Sequence, residues 1–218
     1  MDKKKIAVIG VGGISECHIA GYKQNPNAEL VAFCDINEAR LREKGAKHGV
    51  TNLFTDVHQM LAAMPEIDAV SVCTWNNQHA PCTILALEAG KNVLVEKPFT
   101  PTIAQAKELF ALAKSKGLIV TPYKNRRFDS CFLTAKKAIE SGKLGKLFYL
   151  YSNRLNLGTV RTEESVFSSF APHDISILDY LTGGAAVKIE ARGAKFLQDK
   201  VFDTTLTQLE YPHHVHAH

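Results

Sequence analysis

The sequence lacks the features that mark secreted, membrane-spanning or nucleic-acid-binding proteins. No apolar run reaches the ~18 residues that a spanning helix needs. The apolar segment nearest the start, Ile6–Ile9, is too short for a signal peptide and meets glycine at once. The net charge is only +4, and Lys and Arg form no basic stripe beyond Lys3–Lys5. We therefore expect a cytoplasmic protein with neither membrane nor nucleic-acid partners.

Cysteine pairs with CxxC spacing are also missing. The chain has five cysteines, an odd number, and Cys34 and Cys73 lie in apolar runs typical of strands. We interpret those two as small buried hydrophobic residues, which suggests a reducing compartment.

Histidines cluster at the end of the chain, at positions 213, 214, 216 and 218. Strand alternation would place His214, His216 and His218 on one face, where they could chelate a metal. We favour instead a cut-off strand or a tag-like tail, and we predict no metal site.

The composition suits a soluble protein with a real core, at 45% hydrophobic and 22% charged residues among 218. That length suggests one or two domains. Strand-like and helix-like segments alternate as far as residue 121, with neither repeats nor low-complexity sequence. Such alternation predicts an α/β domain at residues 1–121, a doubly wound parallel sheet with right-handed crossovers.

A glycine turn joins the first strand to the first helix. Lys5–Ile9 precedes Gly10-Val11-Gly12-Gly13-Ile14-Ser15, which is the strand–turn–helix context that a GxGxxG match requires. Gly10 allows the tight turn, and Gly12, helped by Gly13, lets the backbone and Ile14 approach a pyrophosphate at the helix amino terminus. Ser15 replaces the third glycine and is small enough for helix and strand to pack.

An acidic residue ends the second strand. Asp35 lies 20 positions after Ser15, where a carboxylate bonds the ribose hydroxyls of NAD and repels the 2′-phosphate of NADP. We therefore expect NAD, although Arg40 nearby could tolerate NADP. The alternative is an ordinary glycine turn, with Asp35 capping a helix over residues 37–47.

A short buried strand, Asn92–Val95, runs into Glu96-Lys97-Pro98. Proline ends the strand because it lacks the N–H that a sheet ladder needs. A lysine at this carboxyl end can lie at the lip of the crevice where α/β proteins bind ligands. The alternative is that Glu96 and Lys97 only solvate the strand end.

Together with the glycine turn, two segments resemble the Gfo/Idh/MocA oxidoreductases. They are Glu96-Lys97-Pro98 and Cys73-Thr74-Trp75-Asn76-Asn77-Gln78-His79-Ala80, in which Trp75 replaces the usual proline. The resemblance implies Glu96 and Lys97 beside the nicotinamide, a Lys97–Pro98 bond that is often cis, and a cofactor wall of Thr74, Trp75, Asn76 and His79. Taken alone, His79 would be interpreted as a helix-start histidine with a structural role.

The second domain is predicted at residues 122–218 as an incomplete α+β open sheet, because family members continue through further strands. Residues 123–128 resemble the family's hinge, and we count Asn125 among the cofactor contacts. We predict a long strand over residues 146–155 and a helix beginning at Pro172. His173 would then lie at the helix amino terminus, where the dipole disfavours imidazolium.

The resemblance implies an NAD-dependent dehydrogenase that acts on a sugar, nucleotide sugar or cyclitol hydroxyl. His173 falls on the family's histidine, and Ser169 falls where the family has an acid. We predict Lys97 and His173 as catalytic residues, and both as substrate contacts along with Arg126, Arg127 and Asn153. The segment His173-Asp174-Ile175-Ser176-Ile177-Leu178 resembles family members that oxidise nucleotide-linked sugars, which favours a nucleotide sugar as substrate. The sheet-face pairing seen in the family implies homo-oligomers.

Two other functions remain open from the sequence. One is a binding or regulatory protein that keeps the cofactor domain without chemistry, as Ser169 would permit. The other is an anion-binding interaction protein that uses the glycine turn without nicotinamide.

Overall fold

The computed structural model describes residues 2–155, 157–158, 160, 162 and 164–218. The chain divides into two compact units, residues 1–123 and 124–218. This division falls two residues beyond the boundary that we set from the sequence. Each unit is described separately below.

The first unit is built on a parallel six-stranded sheet. The order β3-β2-β1-β4-β5-β6 reverses direction between β1 and β4, as in a doubly wound dinucleotide fold. This confirms the predicted fold class. The strands are β1 Lys4–Ile9, β2 Ala28–Cys34, β3 Asn52–Phe54, β4 Ala69–Val72, β5 Asn92–Val95 and β6 Val120–Pro122.

Helices connect these strands: α1 Ser15–Gln24, α2 Glu38–His48, α3 Val57–Ala63, α4 His79–Glu88 and α5 Ile103–Ser115, with a short 3₁₀ helix at Asn76–Gln78. The spacing Thr102-x-x-Gln105 predicts a capping box, and Thr102 caps α5 by accepting the Gln105 N–H. The sequence predicts a helix over Thr55–Ala63 with Thr55 as its cap; this start is wrong, because Asp56 accepts the Gln59 N–H and caps a helix that begins at Val57. The strand β3 was not predicted, since three residues carry little periodicity.

Both faces of this sheet are buried. Two hydrophobic clusters cover the sheet: Ala7 and Ile9 of β1 belong to one of them, and Val8 belongs to the other. Parallel strands covered by helices on both sides are apolar throughout, which explains the continuous hydrophobic runs. Cys34 and Cys73 are buried, as expected, and all five cysteines are free.

The second unit contains α6 Ser130–Glu140, α7 Val166–Thr182 and a four-stranded sheet of β7 Tyr149–Leu150, β8 Lys188–Ala194, β9 Thr204–Tyr211 and β10 Val215–Ala217. The order is β7-β10-β9-β8. The sheet is mixed, because β10 pairs parallel with β7 and antiparallel with β9. The predicted long strand is wrong in its length, since β7 covers only Tyr149–Leu150 of residues 146–155.

The predicted start of α7 is also wrong. The helix begins at Val166, where Ser165 accepts the Ser168 N–H, and Pro172 lies inside it. A proline there removes one helical hydrogen bond and is usually costly. It is accommodated in a helix that buries Ile177, Leu178 and Leu181. His173 is therefore not at a helix amino terminus, and the dipole argument for its charge does not apply.

The terminal histidines do not share one strand face. His214 belongs to a 3₁₀ turn and has a positive φ of 58°, whereas His216 lies in β10. The His218 ring contacts Tyr149, whose hydroxyl lies 2.8 Å from Nδ1. Across the described part of the chain, no three His, Cys, Asp or Glu residues come together as a metal site, and no helix is long and apolar enough to cross a membrane.

Candidate active site

The glycine turn occupies the carboxyl edge of the parallel sheet, where β1 ends. Gly10 has φ +83°, and a Cβ placed on it would lie 2.8 Å from the backbone of Cys73 and Thr74. Glycine is therefore required here both for its backbone conformation and for the close approach of the β4 end. The turn is held against the strand beside it.

The same turn is open on its outer side. A Cβ on Gly12 or on Gly13 would meet no atom of the described chain within 4 Å. Helix α1 follows with Ile14 at its N-cap, and no described side chain caps it. An uncapped helix start beside open glycines leaves backbone N–H groups and the positive dipole end available to an anion such as a pyrophosphate. These residues fit a dinucleotide.

Asp35, directly after β2, is bound on every side. Its Oδ2 accepts Val11 N–H at 2.8 Å, and its Oδ1 accepts Asn37 N–H at 2.8 Å. The Arg40 guanidinium donates to both oxygens, at 3.1 and 2.7 Å. The Asp35 side chain is only 3% exposed. A ribose hydroxyl would therefore reach this carboxylate by displacing Arg40, which is the more exposed partner.

These contacts determine the charge of Asp35. Burial alone would raise the pKa of this carboxyl, but the Arg40 guanidinium and the amides of Asn37 and Val11 outweigh burial and hold its pKa below the ordinary value. Asp35 is therefore an anion at neutral pH, as an acceptor of ribose hydroxyls must be.

The loop after β4 divides into exposed and buried members. Trp75 is 78% exposed, and Thr74 and Asn76 are half-buried. His79 is fully buried, with Nδ1 2.7 Å from the Pro98 carbonyl oxygen and Nε2 3.2 Å from that of Thr74. The burial of His79 does not support its predicted cofactor contact. Its ring instead joins the β4 loop to the turn after β5.

The turn after β5 carries Lys97, which is half-buried. The Lys97–Pro98 peptide bond is cis, as the family resemblance implied. Glu96 is only 5% exposed, and its two oxygens accept the Lys97 N–H at 2.9 Å and contact the His18 ring at 3.0 Å. The structure thus gives Glu96 partners inside the unit, not at a ligand surface.

A cavity of 280 Å³ lies within the second unit. Predicted substrate residues Arg126 and Asn153 line it, together with Arg154 and Asp174, over an apolar floor that includes Phe132 and Leu178. Arg154 pairs with Asp174, which also accepts the Ser152 hydroxyl at 2.6 Å. The cavity therefore combines polar groups with an apolar wall, as sugar-sized ligands require.

Other residues predicted in this unit lie elsewhere. The Arg127 guanidinium lies 5.1 Å from the centre of the Tyr180 ring, a cation–π contact. Asn125 begins the 3₁₀ helix Asn125–Phe128 and is half-buried. His173 lies within α7, on the helix that also carries Ser169 one turn earlier.

Some residues that complete these sites were not predicted. Arg154 and Asp174 form the ion pair of the cavity, and His18 contacts both Ser71 and Glu96 inside the first unit. Their partners are distant in sequence, so local spacing does not identify them. The one available signal for His18 was a histidine on the apolar face of the helix that follows the glycine turn.

Comparison with known proteins places these features in a family. A family model described as an oxidoreductase family with an NAD-binding Rossmann fold, GFO_IDH_MocA, matches residues 4–124, more than half of the chain. The corresponding GFO/IDH/MocA C-terminal domain model matches residues 132–218.

Two individual relatives are also named as an oxidoreductase or a dehydrogenase. The chain is 51% identical over 148 residues to the uncharacterized oxidoreductase YhhX of Escherichia coli K12, covering 67% of this chain and 43% of that protein. It is 31% identical over 202 residues to a myo-inositol 2-dehydrogenase of Thermotoga maritima, covering 90% and 60%. The chain thus spans about half the length of these relatives.

A solved structure shows the same fold. The crystal structure of a probable dehydrogenase from Thermotoga maritima superposes with a TM-score of 0.86 at 29% identity, covering 98% of this chain and 67% of that one.

Proposed function

Because this chain belongs to the Gfo/Idh/MocA oxidoreductase family, we propose that it is an NAD(H)-dependent dehydrogenase of sugars or cyclitols. The observation that carries the proposal is the carboxyl edge of the parallel sheet. The open glycine turn, the anionic Asp35 and the half-buried Lys97 all follow strands that end at that edge. This is the edge where α/β sheets bind nucleotides.

The residues of the first unit would hold the dinucleotide at defined points. The N–H groups at the start of α1 bind the pyrophosphate, and Asp35 accepts the ribose hydroxyls. Trp75 offers an exposed ring, and with Thr74 and Asn76 it forms the proposed cofactor wall. When bound, the nicotinamide supplies or takes up the hydride.

The proposed chemistry of the chain itself is proton transfer. Lys97 exchanges a proton with the substrate hydroxyl as the carbinol C–H bond breaks or forms. His173, on α7 of the second unit, is the second proposed base. Both stay proposals, since each is assigned by its position in the family pattern.

The cavity of the second unit supports a small polyol substrate. At 280 Å³ it suits a monosaccharide or cyclitol better than a whole nucleotide sugar, which is considerably larger. The Thermotoga relative named as a myo-inositol 2-dehydrogenase points the same way. A nucleotide sugar, which the sequence favoured, would place only its sugar part in the cavity.

NAD is the proposed cofactor, and Arg40 determines how strongly the site prefers NAD over NADP. The Asp35 carboxylate repels a 2′-phosphate, but Arg40 would lie beside that phosphate once displaced from Asp35. We expect NADH to bind more tightly than NADPH. Arg40→Ala should weaken NADPH binding further and leave NADH binding equal or tighter, because it frees the carboxylate. Fluorescence titration of both nucleotides measures this.

Self-association through the outer face of the four-stranded sheet is also proposed. Leu206 there is 74% exposed, Tyr149 51% and Tyr151 66%, and exposed aromatic and apolar groups of this kind are enriched in interfaces. Leu206→Arg should lower the mass measured by light scattering after size exclusion. An unchanged oligomer would place the interface elsewhere.

The function itself is tested in two steps. NADH is first titrated by fluorescence, and then inositols, free aldoses and UDP-sugars are screened for nicotinamide absorbance change. Lys97→Ala should lower turnover by about 10²–10⁴-fold while NADH affinity stays within about threefold. Lys107→Ala, an exposed lysine on α5, is the matched control. Failure to bind nicotinamide nucleotides at millimolar concentration would refute the proposal, and equal turnover in Lys97→Ala would remove that lysine from the mechanism.

A second candidate is a nucleotide-binding regulatory protein without chemistry. It is favoured by Ser169, a buried serine at the position where the family has an acid. NADH binding with no turnover across the panel would support it over the dehydrogenase.

A further inference from the structure

A buried histidine–glutamate pair, His18 and Glu96, adjoins the backbone of Lys97. His18 of α1 and Glu96 at the end of β5 approach to 3.0 Å between Nε2 and Oε1, and their side chains are 1% and 6% exposed. The other carboxylate oxygen of Glu96 accepts the Lys97 backbone N–H at 2.9 Å. Glu96 therefore bridges the His18 ring and the backbone of the proposed catalytic lysine.

The other side of the His18 ring is equally occupied. Nδ1 lies 2.8 Å from the Ser71 hydroxyl of β4. The Tyr123 ring packs on the imidazole with centroids 4.3 Å apart. A ring protonated on Nε2 satisfies both polar contacts, since it donates to Glu96 and accepts from Ser71. One histidine thus joins the helix after the glycine turn to the ends of β4 and β5.

We propose that His18 is a positioning residue for Lys97. By holding the Glu96 carboxylate in place, it fixes the backbone that carries the lysine relative to the glycine turn. Removing the ring would leave Oε1 of this buried carboxylate without the His18 donor, which is strongly unfavourable. The carboxylate would then turn toward water and release the Lys97 N–H. The consequence for turnover rests on the proposed function, but the hydrogen-bond network does not.

Hydrogen exchange of the Lys97 amide tests this directly, without cofactor. The adjacent Glu96 amide donates to the Val72 carbonyl oxygen at 2.9 Å, so it reports opening of the sheet alone. In His18→Leu, the Lys97 amide should exchange at least about tenfold faster relative to the Glu96 amide. His18→Gln, whose amide can still donate to Glu96, should stay within about threefold of wild type.

A control and a fallback keep the test decisive. His48→Leu removes a histidine that also contacts a glutamate, Glu16 at 3.2 Å, but that lies on α2, away from Lys97. It should leave the ratio of the two amide rates unchanged. If His18→Leu does not fold, His18→Asn replaces it, because its shorter side chain does not reach Glu96 and should behave like leucine. Equal acceleration of both amides in the His18 variants would overturn the proposal.

Kinetics supply a second readout. With a sugar that the wild-type enzyme converts, His18→Leu should lower kcat by about 10–100-fold and leave KM and NADH affinity nearly unchanged. Displacement of a catalytic group such as Lys97 by about 1 Å has an effect of this order. Substantial rescue is expected in His18→Gln. If the wild-type chain binds no NADH, the proposed function fails, while the exchange comparison still decides the role of His18. A kcat that stays at the wild-type value in His18→Leu would limit His18 to stability.

Discussion

The two sheets of this protein differ in how many of their faces are buried. The parallel sheet of the first unit has a hydrophobic cluster on each side. Among the described residues, the sheet of the second unit has one such cluster, in which α7 packs through Leu178 on Leu209 and Tyr211. Its edge strand β8 is exposed along nearly its whole length. Burial on both faces constrains every residue of a strand, whereas burial on one face constrains every other residue. We therefore expect strand substitutions to destabilise the first unit more than the second.

The largest contrast should appear in thiol labelling. Burial raises the pKa of Cys34 and Cys73 to about 12 and of Cys82 to about 11, so these thiols of the first unit lack both access and thiolate. Cys17 and Cys131 are exposed. With a disulfide reagent at pH 8, the buried three should react at least about a thousandfold more slowly, as opening of the core limits them. Fast labelling of more than two thiols would show that the first unit opens readily.

Alanine at two positive-φ glycines tests the same contrast in stability. Gly10→Ala combines backbone strain with a clash at 2.8 Å and should cost about 4 kcal/mol. Gly142, in the second unit, has φ +73° but no described atom within 4 Å of its Cβ position, so its alanine variant should cost about 1 kcal/mol. Urea unfolding with peptide-resolved hydrogen exchange assigns each loss to its unit. Equal costs would mean that the close approach at Gly10 is readily relieved.

Truncation of apolar side chains extends the comparison to packing. Leu87 is fully buried under the parallel sheet, and Ile189 of β8 is 57% exposed. Leu87→Ala should destabilise by about 3 kcal/mol, and Ile189→Ala by about 0.5 kcal/mol or less. The same unfolding measurement applies. A large loss at Ile189 would indicate that another surface covers β8 in solution.

The smallest effect concerns acid stability of the first unit. The hydrogen bond from Lys44, aided by Lys47, lowers the pKa of Glu16 from 4.5 to about 2. A lowered folded-state pKa means that the unfolded chain binds the proton first, so this stabilisation is full at neutral pH and is lost as pH falls from about 4.5 toward about 2. Glu16→Gln should flatten the dependence of the urea midpoint on pH in that window. An identical slope in the variant would show that Glu16 does not contribute.

What the sequence could predict follows the same division. In the first unit, glycine turns, caps and continuous apolar runs are local signals, and the parallel topology then brings Gly10, Asp35 and Lys97 to one edge. The strand β3 and the α3 cap were missed only because the signal spans few residues. In the second unit, the apolar run at 146–155 forms a strand over two residues alone, because its pairing partner is β10, far along the chain.

Side-chain partnerships were the least predictable level. His18 meets Ser71 across 53 positions and Glu96 across 78, and no local pattern encodes such distances. Pro172 misled for a different reason. Proline favours the first helical turn, but tertiary packing of α7 outweighed that preference. The serine pair Ser165 and Ser168 was the sequence signal for the true start.

Strand β10 has a consequence for the order in which the chain acquires its structure during synthesis. It follows β7 and β9 in the sequence, yet it lies between them, and every pairing that the described residues show for β7 is with β10. A ribosome-bound chain has every strand of the parallel sheet once residue 122 has emerged, whereas β7 waits without a neighbour until residues 215–217 arrive. The first unit can therefore fold early, while β7 joins its sheet only after residues 215–217 have been made.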